Sequence, residues 1–169
     1  MITVGKFQAG VRENIIPEDA NISGTIRTLD TKMQDKIHEK IKLTATKIAE
    51  SGGATAEVTI RRGTPVTYND PALTAKMVSS LEKAAGEKNV YNIQAVTGAE
   101  DFAFYQEKIP GLFFFVGAMP PDADPLKVAA HHTPDFFIDE RGFLTGLKAM
   151  LQVSVDYLSM PQKISPSAK

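Results

Sequence analysis

The chain has 169 residues, of which 43% are hydrophobic and 23% charged, with a formal net charge of −1. Such a composition folds around a core, as one domain or two small ones, and its charge balance leaves no basic footprint for a nucleic acid. The absence of cysteine excludes disulfides and thiolate metal sites. Apolar runs such as residues 112–116 are far too short to span a membrane. Met1 leads directly into a strand-like segment rather than a signal peptide, and the compartment, cytoplasmic or periplasmic, stays open.

Residues 2–8 are short, β-branched and aromatic, and they end at Ala9-Gly10, which predicts a strand. A turn follows over residues 13–19, with Pro17 barred from any central ladder. Residues 20–29 set Ile22, Gly24 and Ile26 on one face against Ser23, Thr25 and Arg27 on the other. That alternation predicts a half-buried strand, antiparallel to the first. Asp30 or Thr31 then caps a helix whose apolar positions are Met33, Ile37, Ile41, Thr44, Ala45 and Ile48. Ser51-Gly52-Gly53 ends it. Residues 54–61 alternate again, with Ala56, Val58 and Ile60 on one side, and predict a third strand. Strand, strand, helix, strand is most of a split β-α-β-β-α-β unit without its opening strand and helix, so the chain is expected to begin partway through a domain.

After a connector over residues 63–69, Asp70-Pro71 opens a helix with Asp as N-cap and Pro at its first position. Leu73, Met77, Val78, Leu81 and Ala84 or Ala85 form its apolar stripe, and Gly86 ends it. Residues 90–96 predict a short strand, followed by the loop Thr97-Gly98-Ala99-Glu100-Asp101-Phe102 and one helical turn over 103–108. The continuous apolar run 112–116 predicts a strand buried on both faces. Residues 117–127 are loop, and Asp139-Glu140 starts a helix carrying Phe143, Leu144, Leu147, Met150, Leu151 and Val155. The polar tail 161–169 is expected to fray. The second half thus has an α/β pattern with buried strands.

Chemistry concentrates in two loops that follow predicted buried strands. One ends in His131-His132-Thr133-Pro134-Asp135, which holds two of the three histidines. Imidazole on a Pro-Asp turn just before a helix is placed where sites usually lie, and it is the commonest ligand for zinc and its relatives. The other carries Glu100-Asp101. In an open α/β sheet ligands sit at the strand carboxyl ends, so the two loops together suit part of a metal site. Each residue also has a plainer role: the histidines as polar loop residues, Glu100 and Asp101 as caps of the next turn, Arg27 as a solvated strand residue, and Asn14 as a turn residue.

Gly10-Val11-Arg12-Glu13-Asn14-Ile15-Ile16-Pro17, Gly24-Thr25-Ile26-Arg27-Thr28, Gly98-Ala99-Glu100-Asp101-Phe102 and His132-Thr133-Pro134 with Asp139-Glu140 occur in one order along the chain. Together they resemble the aminoacylase and carboxypeptidase family of two-metal hydrolases. The likeness is greatest to its hippurate hydrolase, N-acyl-amino-acid amidohydrolase and auxin-conjugate hydrolase branch, and it extends over residues 2–158. It implies an α/β chain in three parts. Residues 2–66 correspond to most of a ferredoxin-like lid or dimerisation domain, lacking its first strand and helix. Residues 67–160 correspond to the C-terminal part of a zinc-peptidase-like catalytic domain, and 161–169 to a tail. By the same resemblance His132 is a metal ligand and His131 its neighbour. Asn14 and Arg27 hold the substrate carboxylate, which suits an amide donor and a bidentate guanidinium. Glu100 and Asp101 stand close to the metals without ligating them.

The family's other ligands and its general-base glutamate are expected upstream, so no catalytic residue is assigned within this chain. The intact family member holds two zinc, manganese or cobalt ions. The implied activity is hydrolysis of an N-acyl amino acid or small peptide by a homodimer joined through the lid, with this chain inactive alone. The rival readings are a non-catalytic dimerisation or interaction fragment and, less in keeping with the motifs, a small ligand-binding α/β domain without a metal.

Overall fold

The computed structural model describes residues 1–161; the tail expectation for 162–169 lies outside the described residues. The chain divides into two compact units, residues 1–67 with 94–104, and residues 68–93 with those from 105 on. Each is a mixed helix-and-extended assembly of the α/β kind, and each is described by itself.

The first unit is built on a hairpin. Strand β1 (Ile2–Ala9) pairs antiparallel with β2 (Ala20–Ile26), from Ile2 opposite Ile26 to Ala9 opposite Ala20, with an irregularity between Val4 and Lys6. Gly24 is required by this ladder, because a Cβ there would stand 2.0 Å from the Thr3 carbonyl oxygen. Helix α1 (Thr31–Ser51) follows. The Asp30 carboxylate caps it by accepting from the Met33 N–H at 2.6 Å. At its end Gly53, at φ 72°, donates to Glu50 while Ala54 donates to Ala49, the paired bonds of a Schellman stop. The apolar stripe of α1 does not close onto the sheet. Ile37, Ile41, Thr44 and Ala45 face Ile2 and Val4 of β1 across a hollow of about 450 Å³.

Residues 54–61 realise half of their expectation. Ala56, Val58 and Ile60 are half-buried while Thr55, Glu57 and Thr59 are exposed, the predicted alternation. They nevertheless form no ladder with another strand among the described residues, so the third strand is absent as a paired element. An ion pair from Arg62 to Asp35 ties their end to α1.

The second unit is a helix pair. Helix α2 (Pro71–Ala85) has Asp70 as N-cap, accepting from Leu73 at 2.7 Å, and Pro71 in its first turn. It ends at Gly86, φ 88°, and a short 3₁₀ turn covers Glu87–Asn89. A single turn, α3 (Phe102–Gln106), contains the division between the units. Helix α4 (Arg141–Ser159) packs on α2. Asp139 opens α4 by accepting from the Arg141 N–H and side chain, and that bonding holds its carboxyl below the usual carboxylate range. Met77, Ser80 and Leu81 of α2 and Ala149 of α4 are buried. The Ser80 hydroxyl donates to Asp156 at 2.7 Å, Gln152 donates to the other carboxylate oxygen at 2.9 Å, and Lys83 joins at 3.1 Å.

The run 112–116 is not the doubly buried strand its composition predicts. Phe115 and Val116 are exposed, and no strand pairs with the run among the described residues. The backbone groups of Phe113 are satisfied by a side chain. The Asn69 amide donates to the Phe113 carbonyl and accepts from the Phe113 N–H, both at 2.7 Å, imitating a strand neighbour. Beyond it, Gly142 and Gly146 let the chain at Val116, Gly117 and Ala118 approach α4 closely. Residues 90–96 likewise form no ladder. Among the described residues no helix is long and apolar enough to cross a membrane.

Candidate functional site

Arg27 stands just past the end of β2. Its N–H donates to the Met1 carbonyl at 2.9 Å and its carbonyl accepts from the Met1 amino group at 2.7 Å, which fixes its backbone. Its side chain crosses to the Glu100-Asp101 loop, where Nη1 donates to the Thr97 carbonyl at 2.8 Å. Arg27 makes no ion pair among the described residues. The unit therefore brings together the candidate carboxylate-binding arginine and the Gly98-Ala99-Glu100-Asp101-Phe102 loop. Glu100 and Asp101 start α3 through their backbone carbonyls, which accept from Ala103 and Phe104.

Asn14 is not brought to Arg27. It lies in the turn joining β1 to β2, where the Ile15 N–H reaches the Arg12 carbonyl at 3.4 Å. Arg27 is at the other end of the ladder, on the order of 20 Å away along strands of this rise. One chain does not converge these two side chains on one carboxylate.

In the second unit His132 is exposed and has φ 65°, the positive-φ residue other than glycine among those described. A histidine in this region costs about 1–3 kcal/mol, and such residues cluster at functional sites. The turn that holds it is closed by local bonds. The Thr133 hydroxyl donates to the Ala130 carbonyl at 2.7 Å, and the Phe136 N–H donates to the Thr133 carbonyl at 3.1 Å. His131 packs its ring edge-on to Phe136, centroids 4.7 Å apart, and stands 6.4 Å from the His132 ring. The packing gives His131 an occupation distinct from His132.

A catalytic zinc takes about three protein ligands with an open position. Among the described residues no three His, Cys, Asp or Glu side chains gather to hold a metal ion. His132 supplies one imidazole, and by themselves these residues do not fit a metal centre.

Two contacts carried no signal in the sequence. Thr97 contributes only a backbone carbonyl, which any residue would supply. Asn69 braces Phe113 from 44 positions away, a separation that no local pattern records.

A hairpin with its helix, a helix pair, and the loops at Arg27, Glu100-Asp101 and His132 make up the described part of the chain. The chain belongs to peptidase family M20/M25/M40, whose family model matches residues 2–155. A putative amidohydrolase, YhaA of Bacillus subtilis, is 34% identical over 157 residues, covering 93% of this chain and 39% of its own. The IAA-amino acid hydrolase ILR1-like 4 of Arabidopsis thaliana is 32% identical over 162 residues, covering 94% and 36%. Among solved structures, the YXEP protein of Bacillus subtilis, a dinuclear metal-binding peptidase of the M20 family, is similar with a TM-score of 0.69 and 29% identity. That likeness covers 93% of this chain and 41% of the other. The chain spans about two fifths of the length of these relatives.

Proposed function

We propose that the chain is the portion of an N-acyl-amino-acid amidohydrolase that supplies one metal-ligating imidazole and the clamp for the substrate's carboxylate. Residues 2–66 act as the lid and dimerisation part, and residues 67–160 as the end of the catalytic part. The substrate is a hippurate-like acyl amino acid or small peptide, and the intact enzyme uses two zinc, manganese or cobalt ions. Alone, the chain is inactive. The observation that carries this reading is His132, exposed in its loop and held at a costly positive φ; among the described residues no group of three ligand side chains gathers to hold a metal ion.

The proposal includes a homodimer, because Asn14 and Arg27 of one chain lie at opposite ends of the hairpin and a two-fold partner is a natural source of the missing side chain. The hairpin of two strands also has unpaired edges that favour association. Sedimentation over a range of concentrations should show self-association, and a strict monomer would count against the lid assignment.

The function is tested by ligand specificity. Hippurate, titrated into the isotope-labelled chain, should shift the Arg27 side-chain signal, whereas benzamide, which lacks the carboxylate, should not. Arg27→Ala should abolish the accompanying shift at the Thr97–Gly98 backbone, which the Arg27 side chain contacts. Equal responses to both compounds would refute carboxylate recognition. Hydrolysis of hippurate by the isolated chain with added zinc, lost in His132→Ala, would refute the claim that its site is incomplete.

A further inference from the structure

We propose that Arg27 has a second task besides carboxylate binding: it is a positioning residue that couples carboxylate capture to the placement of the Glu100-Asp101 loop. The proposal rests on the carboxylate-clamp reading above and adds to it. Arg27 and Thr97 are 70 positions apart, yet Nη1 reaches the Thr97 carbonyl at 2.8 Å. The loop 94–104 also groups with the hairpin rather than with its neighbours in sequence. The arginine backbone is fixed by two bonds to Met1, so the tether starts from a held point. A guanidinium has five N–H donors in a rigid fork, and one bond to a carbonyl leaves an edge able to take a carboxylate. The two bonds then share one planar group. A carboxylate that orients this group also orients the loop bonded to its other nitrogen, and the effect is reciprocal, as any coupling between two binding events must be. The loop's own order is visible at two amides, because Ala103 and Phe104 donate to the carbonyls of Glu100 and Asp101.

Amide hydrogen exchange on the whole chain tests the coupling in two arms. Without ligand, Arg27→Ala should speed exchange at Ala103 and Phe104 roughly threefold to tenfold, the size of a single hydrogen bond. Leu81 and Ala149 in the helix pair should keep their rates. Arg27→Lys retains a donor for Thr97 and should restore most of the protection, which separates tethering from a general loss of fold. With hippurate as the probe, the wild-type chain should slow exchange at Ala103 and Phe104, and Arg27→Lys, lacking the fork, should not respond. Unchanged rates in ligand-free Arg27→Ala overturn the tether. Hippurate binding that leaves the wild-type loop amides unaltered overturns the coupling, as does failure of hippurate to bind. That last failure belongs to the carboxylate reading and is told apart by the ligand-free arm.

Discussion

In the unit of α2 and α4, Met77, Ser80, Leu81 and Ala149 are removed from water, and a serine, a glutamine and a lysine converge on Asp156 beside them. In the hairpin unit no residue of β1, β2 or α1 is buried, and a hollow separates α1 from β1. The helix pair is thus held by a side-chain interior, whereas the hairpin is held by backbone pairing and by the room that Gly24 leaves. The two kinds of support answer to different perturbations. The candidate residues are distributed over both: His132 belongs to the helix-pair unit, and Arg27, Asn14, Glu100 and Asp101 belong to the hairpin unit.

Emptying the interior should separate the two units most strongly. Met77→Ala, at a side chain 1% exposed, should cost about 2–4 kcal/mol through lost burial and a residual cavity. Urea denaturation followed by helix signal should show the loss, while cross-strand contacts between β1 and β2 persist at low urea. Simultaneous collapse of both units would show that the hairpin depends on the helix interior after all.

The converse change is Gly24→Ala. Its methyl would overlap the Thr3 carbonyl oxygen, so the ladder must open, at about 1–3 kcal/mol. Faster amide exchange along β1 and β2 is expected, with Leu81 and Ala149 unaffected. A ladder that keeps its wild-type exchange rates would contradict the close approach.

The smallest expected effect concerns the interior and its response to pH. The Asp156 carboxyl is held below its ordinary range, first by the Ser80 hydroxyl, then by Gln152 and Lys83. A folded pKa below the unfolded one gives stability that is present above the ordinary carboxylate range and lost as pH falls through the folded value. Acidification should therefore weaken the helix pair of the wild-type chain in that range, and Asp156→Asn should flatten the dependence. An equally steep fall in the variant would assign the acid sensitivity elsewhere.

Elements governed by neighbours along the chain were legible in the sequence. Asp30 and Asp70 mark helix starts because a carboxylate three residues from an unsatisfied N–H can cap it, and both do so. Gly52-Gly53 and Gly86 mark stops for the complementary reason. The hairpin followed from alternation and a proline-bearing turn. What failed was governed by partners distant along the chain. The run 112–116 has a strand's composition, but the backbone hydrogen bonds of Phe113 within it go to the Asn69 amide. The alternation of 54–61 predicted which side chains are sheltered and not whether a strand would lie alongside. At the site, the His-Thr-Pro sequence located His132 in a turn, whereas its positive φ depends on the local bonds of Thr133 and Phe136. The bond from Arg27 to Thr97 had no spacing to announce it.

In the proposed function this chain carries one imidazole of a metal site, and the other ligands come from the rest of the enzyme. Elemental analysis of the purified chain after loading with zinc and exhaustive dialysis tests that most directly. One exposed imidazole should release the ion, so only residual zinc is expected, unchanged by His132→Ala. Stoichiometric zinc that survives dialysis and is lost in His132→Ala would contradict the claim, because the ligands would then all be present in this chain.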